Sequence, residues 1–218
     1  MIKHILFDCD GVLVDTEIWA ARVMVEALGE LGVDMTLDFY LSNLTGSTFT
    51  QIIDKYLGDS LKGEERAKFI EEMELKTVEK VEAIKNVETV LKSLELPKSI
   101  VSNSQVWYVK NVTQKVGIDH CFTGHIFSSE LVSNPKPAPD VYNLAQSELR
   151  LKPNELIAIE DSSTGVRSAV ASGIPVVGFT GASHILSGHA DKLKKLGANE
   201  IAEDMNELNY ILKKLIKN

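Results

Sequence analysis

Ile5-Leu6-Phe7-Asp8-Cys9-Asp10-Gly11-Val12-Leu13-Val14-Asp15 is the stretch on which the reading of this chain turns. Three apolar residues run into a carboxylate, a small residue, a second carboxylate and a glycine. A continuous apolar run closed by Gly is the pattern of a strand buried on both faces of a parallel sheet. Ligands of open α/β sheets bind at the carboxyl ends of the strands, where two acids stand here. Carboxylates so close together repel unless a cation or a proton lies between them. Gly11 lets the backbone turn away without a Cβ clash. The segment suits a nucleophile, a proton carrier and a divalent cation in one place. Two plainer readings compete with this one. As a calcium loop closed by Glu17, the DxDG string would need Leu6 as its first ligand and a helix where a strand stands. A polar turn after a buried strand fits better than that, and the rest of the chain decides.

The chain has 218 residues, 44% hydrophobic and 25% charged, which predicts an ordinary globule of one large α/β domain or a core with a smaller domain. Its formal net charge of −8 argues against nucleic acid or an anionic membrane as partner, since both need a basic face. An anionic substrate must therefore be drawn in by local cations. Cys9 and Cys121 make no disulfide framework, and strand alternation turns Cys9 into the core, away from its acidic neighbours. No apolar stretch reaches the length of a membrane span, and no signal-like apolar region precedes the first Asp. A monomer in the reducing cytoplasm is the expectation.

Between Glu17 and Ile84 the pattern is helical throughout. Ile18, Ala21, Val25, Leu28 and Leu31 recur at helical spacing, and further helices are predicted over 35–44, 48–57 and 64–84. After Asn86 strands alternate with helices: 99–103, 125–128, 156–161 and 175–180 read as strands, with 201–202 as a sixth. That alternation predicts a Rossmann-like parallel sheet with right-handed crossovers. The expected architecture is an α/β core formed by 1–14 and 86–218, interrupted by an all-helical cap over 15–85. Its linkers fall near 14–17 and 83–86.

The predicted strand ends carry the chemistry. Strand one ends in Asp8 and Asp10, strand two in Ser102 and Asn103, strand four in Glu160 and Asp161. Lys136 follows strand three in a loop stiffened by Pro135, Pro137 and Pro139. All converge on one edge of a parallel sheet. Carboxylates gathered there make a hard-oxygen site suited to Mg²⁺ and to a substrate phosphate, with Ser102 and Lys136 meeting the other phosphate oxygens. Taken singly, Ser102 reads as a strand-end hydroxyl, Lys136 as a surface lysine and Asp161-Ser162-Ser163 as a helix cap. The adjacent acids Glu160 and Asp161 are odder, because they desolvate and repel each other at the end of an apolar strand.

FDCDGVLVD (7–15), IVSNS (100–104), KPAPDVY (136–142) and IEDSSTGVRSA (159–169), in that order, resemble the motifs of the haloacid dehalogenase superfamily, in its phosphatase branch. The helical insertion resembles that family's type-one cap, and the chain is most similar to the group of β-phosphoglucomutase, sugar-phosphate and 6-phosphogluconate phosphatases. The resemblance implies that Asp8 is a nucleophile forming an aspartyl-phosphate, and that Asp10 protonates the leaving oxygen and then activates water. It implies Mg²⁺ held by the Asp8 carboxylate, the Asp10 backbone carbonyl, Asp161 and Glu160. It also implies that Ser102, Asn103 and Lys136 hold the transferring group, Lys136 screening Asp8 as well. A dehalogenase lacks the acid pair at 160 and 161, and nothing here requires the cap lysine of a phosphonate hydrolase.

The stretch Leu44-Thr45-Gly46-Ser47-Thr48-Phe49 lies where that family keeps its specificity loop, so Gly46 and Ser47 are expected to approach the substrate. A simple turn between helices fits equally well. Lys76 matches a basic substrate-facing position, and equally a solvated helix face. His184 and His189 read as loop residues after strand five. The implied function is hydrolysis of a small phosphorylated metabolite, a sugar phosphate or sugar-acid phosphate. A sugar-phosphate mutase on the same scaffold is the alternative, and a phospho-accepting receiver module a more distant one. Two departures from the mutase pattern favour the phosphatase: Ala20 stands at the position of its hinge histidine, and Phe49 or a non-basic neighbour at that of its cap arginine.

Overall fold

The computed structural model describes every residue except Gly46, Thr123, Gly124 and Asn218, and Asp59 by its backbone alone. The chain divides into two compact units, one made of Met1–Asp15 with Glu82–Asn218 and the other of Thr16–Val81.

The first unit is built on a parallel sheet. Its strands are β1 (His4–Phe7), β2 (Lys98–Ser102), β3 (Ile126–Ser128), β4 (Leu156–Glu160), β5 (Val176–Phe179) and β6 (Glu200–Ala202), in the order β3-β2-β1-β4-β5-β6. β1 pairs with β2 and β4 on its two sides, so the chain's first strand is central. The order reverses beside β1, which opens a crevice at its carboxyl end. His4 to Phe7 are all buried, as the apolar run requires of a strand covered on both faces. Leu6, Val101 and Ala158 pack with Val141, Tyr142, Ala145, Val166 and Ala169 of the helices Asp140–Leu149 and Ser163–Ala171 in one apolar cluster. Cys9 is buried, as the alternation predicted.

The second unit is helical: α1 (Glu17–Glu30), α2 (Leu37–Asn43), α3 (Phe49–Tyr56) and α4 (Gly63–Lys80). Its core gathers Ala21, Met24 and Leu28 with Tyr40, Ile52, Ile53 and Met73. Thr36 caps α2 by accepting from the Phe39 N–H, and Thr48 opens α3 with a reciprocal box to Gln51. The last helix is shorter than its periodicity predicts, ending at Lys80 instead of Ile84. Val81 leaves it in an extended conformation (φ −58°, ψ 139°). The chain is then recruited into an antiparallel bridge of Ala83 with Val14. The Asp15 N–H donates to Glu82 O (2.8 Å) and the Ile84 N–H to Leu13 O (3.1 Å). Long-range pairing there overrides local helical spacing.

In the first unit the remaining helices are α5 (Val87–Ser93), α6 (Val106–Lys115), α7 (Asp140–Leu149), α8 (Ser163–Ala171), α9 (His189–Lys195) and α10 (Met205–Lys217). α9 carries little periodic signal in the sequence, because its seven residues include three lysines and its one buried apolar residue is Leu193. No described helix is long and apolar enough to cross a membrane.

His4, at the start of β1, is buried with its Nε2 2.8 Å from Ser99 Oγ of β2. Burial, then the nearby His125 and Lys98, lower its pKa from 6.5 to about 4. The unfolded chain takes up this proton near pH 6.5 and the folded chain refuses it until about pH 4, so folding stability falls with pH across that window. In His4→Gln the decline of the urea midpoint across the same window is expected to be shallower than in the wild type. An unchanged slope would show that His4 does not supply this acid sensitivity.

Candidate active site

Asp8 is the first residue beyond β1, and its N–H donates to Ile159 O of β4 (3.0 Å), which sets it level with Glu160. The chain then closes a tight turn in which the Leu13 and Val14 N–H groups both donate to Cys9 O (2.9 and 3.2 Å). Asp10 sits on this turn. Gly11 follows with φ +76°, and an added Cβ would stand 1.9 Å from Asp161 Oδ2. Only glycine lets the backbone pass beneath that carboxylate.

Lys136 reaches the same point from the loop after β3. Its Nζ donates to Asp8 Oδ1 (2.8 Å), Glu160 Oε1 (2.6 Å) and Val101 O (2.7 Å), all buried. Its ammonium therefore has all three donors engaged. Burial works against its charge, but Asp8 and Glu160 outweigh that and drive its pKa above the usual lysine range. The acids respond in the opposite sense. Burial and then Glu160 push Asp8 well above the ordinary carboxylate range, against the pull of Lys136. Burial likewise raises Glu160.

Asp8, Glu160 and Asp161 are buried and each offers an oxygen within 4.8 Å of the others. Glu160 is 0% exposed; its Oε1 accepts from Lys136 and from the Tyr142 hydroxyl (2.6 Å), whereas Oε2 has no hydrogen-bond partner. An orphaned buried carboxylate oxygen beside two other carboxylates calls for a cation. The donor set is all oxygen, and backbone is shaped around it: an added Cβ at Gly165 would lie 1.7 Å from Glu160 Oε2. The residues present thus fit a hard divalent ion.

The seven core residues singled out in the sequence do converge. Ser102 is buried at the end of β2, its Oγ accepting from the Ser104 N–H (3.0 Å). Asn103 is turned to a different task from the phosphate contact expected of it. Its Nδ2 donates to Lys136 O (3.1 Å), and its Oδ1 accepts from the Lys136 N–H (2.9 Å). Both ends of the amide are spent on holding the lysine's backbone. Ser162 is the cap foreseen for the next helix, accepting from the Gly165 N–H (3.0 Å). Ser47 and Lys76 belong to the helical unit: the Ser47 N–H donates to Leu44 O (2.9 Å), and Lys76 pairs with Glu72 one turn earlier (2.8 Å). Gly46 lies outside the described residues.

Four contributors escaped sequence reading. Ser104 Oγ donates to Asp10 Oδ2 (2.7 Å), and Tyr142 holds Glu160. His184 is buried with Nε2 3.3 Å from Asp161 Oδ2, and His189 Nε2 donates to the Asp161 carbonyl (2.5 Å). His184 lies in the loop after β5, as expected, and His189 opens α9; both contact Asp161. Ser104 and Tyr142 lie inside the motif strings 100–104 and 136–142, a signal that was available. The histidines offered none, since their partner lies more than twenty residues upstream.

Residues 5–179 match the model of the haloacid dehalogenase-like hydrolases. The Bacillus subtilis protein YhcW is 30% identical over 183 residues, 81% of this chain and 83% of its own length. The 6-phosphogluconate phosphatase of Escherichia coli is 25% identical over 187 residues, 84% of this chain and 85% of its own. A haloacid dehalogenase-like protein of Agrobacterium tumefaciens superposes with a TM-score of 0.85 at 31% identity, covering 99% of this chain and 100% of its own. With the motif order, the sheet and the acidic cluster in agreement, the chain belongs to the haloacid dehalogenase-like hydrolases and is an enzyme of their phosphatase branch.

Proposed function

We propose that the protein is a Mg²⁺-dependent phosphatase acting on a small sugar phosphate or sugar-acid phosphate through a phosphoryl group carried on Asp8. The observation that bears most of this reading is the Asp8 carboxylate, buried at the carboxyl end of the central strand. It lies 2.8 Å from the Lys136 ammonium, beside Glu160 and Asp161 and two residues before Asp10. The sugar-acid class is suggested by the 6-phosphogluconate phosphatase among its relatives.

In this mechanism an Asp8 oxygen attacks phosphorus in line, the ester oxygen departs, and Asp10 supplies the proton it needs. Ser104, on Asp10 Oδ2, orients that acid. Asp10 then takes a proton from the water that attacks the phosphorus of the Asp8 acyl phosphate. The Asp8–phosphate bond breaks, inorganic phosphate leaves and the carboxylate is restored. Ser102 and Lys136 hold the transferring oxygens, Lys136 by exchanging its contact with Asp8 for a phosphate oxygen once Asp8 attacks, and Asn103 keeps Lys136 in place through its backbone. Asp8, Glu160, Asp161 and the Asp10 carbonyl would hold Mg²⁺, which when bound neutralises the repulsion between carboxylates and phosphate dianion. Positioning and charge compensation supply most of the acceleration in phosphoryl transfer. Hydrolysis is favoured over mutation of the substrate by Ala20 and by the absence of a basic residue from 44–50. A mutase must guard its phosphoryl group from water and grip a second phosphate.

Asp8→Asn preserves volume and removes the attacking charge, so kcat on a responsive substrate is expected to fall by several orders of magnitude with the fold intact. Wild-type turnover in that variant would refute the assignment. Asp161→Ala is expected to raise the Mg²⁺ requirement steeply or abolish activity, and EDTA to silence the wild type; full rate in metal-free buffer would contradict this. With β-glucose 1-phosphate, Mg²⁺ and catalytic glucose 1,6-bisphosphate, free phosphate is the expected product. Efficient formation of glucose 6-phosphate with little phosphate released would establish the mutase instead.

A further inference from the structure

Tyr142, in the first turn of α7, is fully buried, and its ring lies under the Lys136 ammonium at 5.4 Å from Nζ to centroid. Its hydroxyl donates to Glu160 Oε1 at 2.6 Å, the same oxygen that accepts from Lys136 at 2.6 Å. One oxygen of Glu160 therefore carries two donors, one of them charged, while the other carries none. Gly165 closes the remaining side: a Cβ there would come within 1.7 Å of Oε2 and 2.5 Å of Oε1, so the carboxylate lies directly against its backbone. The Glu160 carboxylate is thus held in a single orientation.

This restraint bears on which ion the site accepts. Ca²⁺ takes six to eight oxygens at roughly 2.3–2.6 Å and draws on two-oxygen contacts from carboxylates, whereas Mg²⁺ demands near-ideal octahedral geometry at about 2.0–2.1 Å. For Glu160 to offer both oxygens, Oε1 would have to leave a buried ammonium and a buried phenol at once, stranding both donors away from water. A one-oxygen ligand on a rigid mount suits the smaller ion.

We propose that Tyr142 is a positioning residue which, with Lys136, makes Glu160 a one-oxygen metal ligand and so sets the preference of the site for Mg²⁺ over Ca²⁺. This rests on the reading of Asp8, Glu160 and Asp161 as the metal site. Tyr142→Phe is the direct test, because it keeps the ring, its packing and its place under Lys136 and deletes only the hydroxyl. Retention of the fold is checked by the urea midpoint without metal. Mg²⁺ and Ca²⁺ dissociation constants are then measured on the full chain, by calorimetry and by the shift in unfolding temperature, with no substrate present. Removing an outer-shell partner of a ligand weakens binding by roughly tenfold or more, so Mg²⁺ affinity should fall by about that factor. Ca²⁺ affinity should hold or tighten, and the ratio of the two constants should narrow roughly tenfold. Equal weakening of both ions, which is what a merely structural role would produce, overturns the proposal, as does no change in either. Glu160→Gln, measured in parallel, separates the levels. If it binds Mg²⁺ like the wild type, Glu160 is no ligand and the metal reading falls with the proposal. If it loses Mg²⁺ while Tyr142→Phe keeps the wild-type ratio, the proposal alone falls.

Discussion

The rest of the site depends on one buried ammonium. Lys136 stands between Asp8 and Glu160 with a backbone carbonyl as its third acceptor, and its side chain is buried. Burying three carboxylates with one lysine carries a desolvation cost that the attractions of a single ammonium do not fully repay. Asp8, Glu160 and Asp161 against Lys136 leave an excess of carboxyl groups, and burial first, then their mutual repulsion, raises the pKa values of Asp8 and Glu160. Such an arrangement is poor for stability and well suited to taking up a cation and a phosphate. Conflicts between local cost and global fold of this kind concentrate where proteins work.

The scaffold meets that cost by holding each member from behind. β1 is central, so Asp8 emerges between strands that supply Ser102 on one side and Glu160 on the other. Asn103 clasps the Lys136 peptide from both sides, which fixes the root of the lysine while Asp8 and Glu160 fix its tip. The loop after β5 reaches back to Asp161 through His184 at the side chain and His189 at the carbonyl. Gly11 and Gly165 are the positions where backbone must run against a carboxylate with no intervening Cβ. Residues that touch no reacting atom in the proposed mechanism are in this way as tightly specified as those that do.

A division of labour follows for the proposed chemistry. The strand ends present charge, and their partners decide its orientation: Tyr142 for Glu160, the histidines for Asp161, Ser104 for Asp10. A sheet alone would bring the carboxylates together without choosing which oxygen of each faces inward. That choice is made by hydrogen-bond donors on α7, at the end of β2 and beyond β5.

The alternation of apolar runs with helical periods was enough to predict a parallel sheet, its order along the chain and a helical insertion, because those patterns arise from local geometry and burial. The core acids, Ser102 and Lys136 were equally legible, since each stands where an apolar strand or a proline-stiffened loop ends. Other features were settled only by contacts between residues far apart in sequence. Lys136 meets Asp8 across 128 positions, and no periodicity encodes that pairing. Strand order, the early end of α4 at Lys80, the short lysine-rich α9 and the turning of Asn103 toward Lys136 belong to the same class. Local sequence determined which chemical groups arrive at the edge of the sheet. Tertiary packing decided which of their atoms face one another, because an oxygen is committed only when a donor from a distant segment reaches it.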